Sequence, residues 1–174
     1  MGSEPKQPDP ALAGRGLDAL WRVAYRLAFR LQRLYWHLCR PVLRGSYVAV
    51  WHEGRVLCVR NSYRRRLTLP AGGLNRGEAP RDAAIRELRE EVSIEASPTA
   101  LHYAGEIVSQ VGPAEDRAHF FELQCDAQPP AFRVDRREVV WAGFLCPGEV
   151  LAAEVVDVVR QYLQRRLDAE VGRR

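Results

Sequence analysis

The stretch GGLNRGEAPRDAAIRELREEVSIE, residues 72–95, decides how this chain is read. Four of its five glutamates, Glu78, Glu87, Glu90 and Glu91, stand close behind Gly72 and Gly73, in a chain whose formal net charge is +4. Pro80, tolerated in a first helical turn where its missing N–H is not needed, predicts a helix over Pro80–Val92. On that helix Glu87, Glu90 and Glu91 fall at i, i+3 and i+4, which brings their side chains to one face with Cβ atoms roughly 5–6 Å apart. Like charges so close repel. Taken alone the cluster reads as a solvated helix face. The glycines before it, Glu78 in the turn, and Ala83 and Ala84 one turn earlier suggest instead a bending loop delivered against an uncrowded acidic face. A backbone carbonyl and several carboxylates there form a ligand set for a hard divalent cation.

The spacing resembles the Nudix box: Gly72, five residues, Glu78, seven residues, then Arg86-Glu87-Leu88-Arg89-Glu90-Glu91-Val92-Ser93-Ile94, preceded by Leu69-Pro70-Ala71. One position departs, Ser93, where the family has glycine in a left-handed conformation; serine held there costs on the order of 1 kcal/mol. The resemblance implies an α/β/α sandwich with a mixed sheet. It also implies a hydrolase that uses Mg²⁺ or Mn²⁺ to cleave the phosphoanhydride of a nucleoside diphosphate linked to another moiety. Carried over by position, Glu87, Glu90 and Glu91 ligate metal, Ala71 adds a backbone carbonyl, Glu78 is an outer participant, and Arg86 holds a glutamate by an ion pair. For the general base, Glu90 is placed first and Glu138 second, with Glu115 and Asp116, in a loop expected at 111–118, third. A non-catalytic nucleotide-binding module and an RNA-end pyrophosphohydrolase remain alternatives.

Charge is unevenly placed around this segment. Residues 1–66 carry 13 basic and 4 acidic side chains, residues 67–174 carry 13 and 18. The acidic half holds the glutamates, as a cation-binding body would. Arg64-Arg65-Arg66 reads as a solvated run or as a phosphate contact, with Arg64 and Arg66 the candidates. A small nucleotide is the expected partner and nucleic acid the less favoured one. His52, His102 and His119 have no motif around them, and Trp51 and Trp141 read as core.

The 174 residues suit one domain with an appendage. Residues 1–16, rich in Pro, Gly and charge, are expected to be a disordered tail. Residues 17–43 are expected to hold a basic amphipathic helix, because Arg22, Arg26, Arg30, Arg33, His37 and Arg40 recur every three or four positions. Its wide apolar face is expected to pack on the domain or on a second copy in a homodimer; the other reading is peripheral contact of 17–40 with an anionic membrane, at its inner face. Four arginines argue against a transmembrane span. Four cysteines without paired spacing suggest a reducing, cytoplasmic setting. In the body, 44–174, a hairpin is predicted at 46–52 and 55–60 around Glu53-Gly54. Further strands are predicted at 101–109, 119–124 and 138–145, with a last helix over 148–167.

Overall fold

A computed structural model describes residues 10–39, 42–111, 114–125, 128–134 and 136–172. The expected tail lies outside them up to residue 9. Helix α1 spans Pro10–Cys39, so it begins ahead of the expected Leu17. The body runs β1 (Val42–His52), β2 (Arg55–Asn61), β3 (Ala71–Gly73), α2 (Pro80–Val92), β4 (Leu101–Val111), β5 (Ala114–Gln124), β6 (Val139–Leu145), α3 (Pro147–Ala152) and α4 (Asp157–Val171).

The sheet is mixed, in the order β4-β5-β1-β2-β6, with the short β3 also paired to β1. The central strand β1 runs parallel to β5 from Val42 to Trp51 and antiparallel to β2 and β3. Glu53 and Gly54 turn the first hairpin with φ of 48° and 73°, the left-handed pair that a two-residue connection matching strand twist requires. Alternation along β1 then divides the core. Val48 and Val50 point to one face with Leu88 and Val92 of α2, while Ala49 and Trp51 point to the other with Val158, Val159 and Leu163 of α4. The result is the expected α/β/α sandwich.

Three expectations are corrected. The last helix is broken: the Leu67 N–H donates to the Glu154 carbonyl at 2.7 Å and the Leu67 carbonyl accepts the Val156 N–H at 3.0 Å, so residues 153–156 form a strand-like bridge between α3 and α4. Two adjacent β-branched valines favour that extended stretch, and Val155 is buried by it. Second, residues 114–118 belong to β5, so Glu115 and Asp116 sit in a strand and not in a loop. Third, α1 meets the body through its polar and aromatic side. The Arg22 guanidinium donates to the Arg136 carbonyl at 3.1 Å, Arg26 donates to the Ser62 carbonyl at 3.3 Å, Tyr25 stacks on Tyr63, and Phe29 meets the same ring at a tilt. The leucines Leu20, Leu27, Leu31, Leu34 and Leu38 face outward. The carbonyls of Ser62 and Arg136, after β2 and before β6, call for a donor that arginine has and leucine lacks. Among the described residues no helix is long and apolar enough to cross a membrane.

Helix α2 ends as the sequence implies. Ser93 adopts φ 57° and ψ 30°, its N–H reaching Arg89 O and the N–H of Ile94 reaching Leu88 O. Its hydroxyl donates to the Arg133 carbonyl at 3.2 Å, a bond glycine would lack. The left-handed strain and this bond are of similar size, about 1 kcal/mol each. Ser93→Gly is therefore expected to stay within about 0.5 kcal/mol of the parent. Ser93→Ala, which keeps the strain and loses the bond, is expected to cost about 1 kcal/mol. Urea denaturation midpoints check the order; an alanine variant as stable as the parent would contradict it.

Candidate active site

The site forms where the β3 segment meets the C-terminal half of α2. Ser46 of β1 is fully buried and its hydroxyl donates to the Pro80 carbonyl at 2.6 Å, which fixes the start of the helix against the sheet. From that anchor the helical period turns Ala83, Ala84, Glu87, Leu88, Glu91 and Val92 inward. Glu87 and Glu91 are thereby buried to 9% and 5% exposure, whereas Glu90, a quarter-turn away, keeps a half-exposed side chain.

Glu91 closes on β3. One carboxylate oxygen accepts the Ala71 N–H at 3.0 Å and the other accepts Asn61 Nδ2 at 3.4 Å. Among the described residues no cation pairs with it. Burial pushes its carboxyl well above the usual range, and repulsion from Glu87 and Glu138 adds to that. Glu87 is raised for the same first reason, opposed by Arg86 and reinforced by Glu90 and Glu138. Three carboxylates thus lie within one another's field in a desolvated corner. A Cβ built on Gly72 would overlap the Glu87 carboxylate, so the loop approaches this group as only glycine allows.

Arg86 organises the rest. Its Nε and Nη2 grip Glu78 at 2.9 and 3.0 Å, Nη1 meets Glu87 at 2.5 Å and Glu90 at 3.3 Å, and Nη2 also donates to the Gly73 carbonyl at 3.0 Å. Glu78 further accepts the Asn75 N–H at 2.7 Å, and the Arg86 fork holds its carboxyl down at about 2. With both oxygens engaged, Glu78 anchors Arg86 and the loop. Among the described residues no three His, Cys, Asp or Glu side chains are already gathered as a metal cage; Arg86 draws Glu87 and Glu90 to itself. The donor set nonetheless suits a hard divalent cation, since it consists of oxygens whose buried negative charge exceeds the cationic charge facing it.

Glu138, distant in sequence, lies at the same cleft. Tyr63 O–H donates to its carboxylate at 3.1 Å and accepts from Asn61 Nδ2 at 3.2 Å, so Asn61 and Tyr63 link Glu138 to Glu91. Neither Asn61 nor Tyr63 stands in any sequence motif, and nothing in the one-dimensional pattern marks them. The cleft encloses about 1120 Å³, with Arg64, Arg66, Tyr63 and Glu138 along it and Tyr25 and Phe29 of α1 as one wall. Arg64 lies over the Phe29 ring at 4.7 Å, and Arg66 reaches Asp157 at 3.4 Å. Of the other candidates, Glu115 is held by Arg117 at 2.8 Å. His52 bonds the Cys125 carbonyl and His119 the Tyr103 hydroxyl. Trp51 is core, its indole N–H donating to Tyr162.

The same fold recurs in solved structures. An Ap4A hydrolase from C. elegans superposes with a TM-score of 0.63 at 16% identity, over 75% of this chain and 99% of that one. A MutT protein from Methanosarcina mazei Go1 gives 0.64 at 19% identity, over 76% and 96%. A bifunctional NMN adenylyltransferase/ADP ribose pyrophosphatase from Francisella tularensis, complexed with AMP and an Mn ion, gives 0.63 at 17% identity, over 88% of this chain and 48% of that one. No curated protein matches the chain by sequence. The family model described as the NUDIX domain matches residues 43–166, from β1 into α4 and across the whole carboxylate corner. By that match the chain belongs to the NUDIX domain family.

Proposed function

We propose that this Nudix pyrophosphohydrolase cleaves the phosphoanhydride bond of a nucleoside diphosphate linked to another moiety, with Mg²⁺ or Mn²⁺ as cofactor. The observation that carries the reading is Glu91: a buried carboxylate that no cationic side chain among the described residues pairs with, backed by Glu87 and Glu138. Glu87, Glu90 and Glu91 would hold the ion, with the Ala71 carbonyl beside them. Bound there, it supplies charge against the phosphate oxygens and acidity to the attacking water. That solved structures of this fold include an Ap4A hydrolase and a chain carrying AMP and Mn supports the substrate and metal classes.

The chain's own groups do the rest. Arg86 fixes the directions of Glu78, Glu87 and Glu90 through one rigid fork. Arg64 and Arg66 reach into the cleft where phosphates would lie. Geometry favours Glu138 over Glu90 as proton acceptor, because Tyr63 holds Glu138 at the cleft while Glu90 is half-exposed and turned onto Arg86. Glu138→Gln is therefore expected to lower kcat by about 10²–10⁴-fold, the usual worth of a general base. A loss of less than about tenfold would assign the role elsewhere.

A panel of nucleoside diphosphate derivatives, with and without Mg²⁺, reading the phosphate products, tests the function. Metal uptake without hydrolysis of any member would identify a binding module. An RNA end as substrate would show itself by a steep fall in affinity between low and moderate salt, which a small nucleotide would not. The outward leucine row of α1 favours a second copy or a membrane surface as its cover. Removal of residues 1–43 followed by sedimentation with liposomes separates the two.

A further inference from the structure

The cleft that Glu138 and the Ala71–Gly73 strand line also has a polar end that the proposed hydrolysis does not use. There Asp116 of β5 lines the cavity at 7% exposure, and among the described residues nothing hydrogen-bonds to its carboxyl. Its oxygens are not sealed from the cleft, so water or a ligand entering there must satisfy them. Burial raises the Asp116 carboxyl, and the positive charge of Arg64 opposes that without forming an ion pair.

Register places this group. Asp116 pairs with Ser109 on β4 and with Leu43 on β1, so the three share a row and a face of the sheet. Ser109 lines the cleft as well. Tyr47, four residues along β1 from Leu43 and on the same face, pairs with Ala71, whose N–H bonds Glu91. Asp116 thus lies about 13 Å along the strands from the row of the catalytic corner, at 3.3 Å per residue. A nucleotide with its phosphates at the carboxylates would carry its ring to that end. Tyr25, Phe29 and Tyr63 form an aromatic wall on the way.

Building on the nucleotide-hydrolase reading, we propose that Asp116, assisted by Ser109, reads the base by accepting the exocyclic amino group of cytosine or adenine. An ionised carboxylate offers acceptors alone. It matches an amino group and rejects the carbonyl oxygen that uracil or hypoxanthine presents at the same position.

Calorimetric binding of two matched pairs, CMP against UMP and AMP against IMP, tests this on the full chain with Mg²⁺, because these monophosphates contain no phosphoanhydride to cleave. The parent is expected to prefer the amino member of each pair by at least about tenfold, the worth of one charge-assisted bond. Asp116→Asn and Ser109→Ala are expected to shrink that preference, the first to about threefold or less. Asp116→Asn is also expected to raise Tm or leave it unchanged, since it removes an unpaired buried charge. Equal weakening of all four ligands would make Asp116 a sugar contact and overturn the proposal. Unchanged preference, or a clear fall in Tm with preference intact, would overturn it in favour of a structural role. Hydrolysis of diphosphate derivatives is read separately: base preference without hydrolysis defeats the hydrolase reading alone, and hydrolysis without base preference defeats this one alone.

Discussion

Glu91→Gln is expected to lower kcat by about 10³-fold, to eliminate Mg²⁺ uptake in calorimetry, and to leave the metal-free protein at least as stable as its parent. The first effect follows from position. Glu91 is the carboxylate at the centre of the corner, fixed to β3 by the Ala71 N–H and to β2 by Asn61. Loss of several kcal/mol of charge stabilisation, at 1.36 kcal/mol per tenfold, gives the magnitude. The stability effect follows from burial, because the amide retains an acceptor for Ala71 and no longer brings a charge out of water beside Glu87 and Glu138. The pH dependence carries the same sign. A carboxyl raised in the folded state stabilises the metal-free fold at low pH and loses that contribution as pH rises through its folded value. The Tm of metal-free parent is thus expected to decline as pH rises above the ordinary carboxylate range, and that of Glu91→Gln to decline less. A variant that turns over normally, or that unfolds while the parent does not, would remove Glu91 from the centre of the site.

The sequence showed local structure better than the contacts that complete the site. The bounds of α2 were legible because Pro80 marks its start and the box spacing its extent, and the Glu53-Gly54 hairpin because a two-residue connection has few solutions. The shared face of Glu87, Glu90 and Glu91 followed from helical arithmetic, and Arg86 from the resemblance of the segment to the Nudix box. The short strand β3 was hidden because three residues carry no period, and it exists only through its pairing with Gly45, Ser46 and Tyr47. The break at 153–156 was hidden because apolar spacing at three and four continues through it, while its cause, Leu67, lies far upstream. Asn61 reaches Glu91, and Tyr63 and Asp116 the cleft, through the order of strands, which no window of sequence encodes; from sequence alone Asp116 is a candidate only as a loop residue. The side on which α1 docks was set by carbonyls of Ser62 and Arg136, groups that every residue carries.

Gly72→Ala is expected to lower activity by about 10²–10³-fold while moving Tm by no more than a few degrees. The neighbouring Gly73→Ala is expected to resemble the parent in both. The contrast rests on what each new methyl would meet. At Gly72 it would occupy the space of the Glu87 carboxylate, the far end of a flexible side chain, which can swing away at modest cost to the fold. That swing takes Glu87 from Arg86 and from its place beside Glu91, so the damage falls on the charge arrangement and not on packing. At Gly73 the nearest atom is the Arg44 carbonyl oxygen at 3.9 Å, an ordinary contact, and Arg86 still finds the Gly73 carbonyl. Neither glycine has positive φ, so backbone strain does not enter the comparison. Measuring kcat, Mg²⁺ affinity and Tm for both variants separates a steric demand at one position from a general need for loop flexibility. Equal loss in the two would show flexibility to be the requirement. Loss at Gly72 alone, with weakened Mg²⁺ uptake, would show that the first glycine of the segment is kept bare so that Glu87 can stand against the loop backbone.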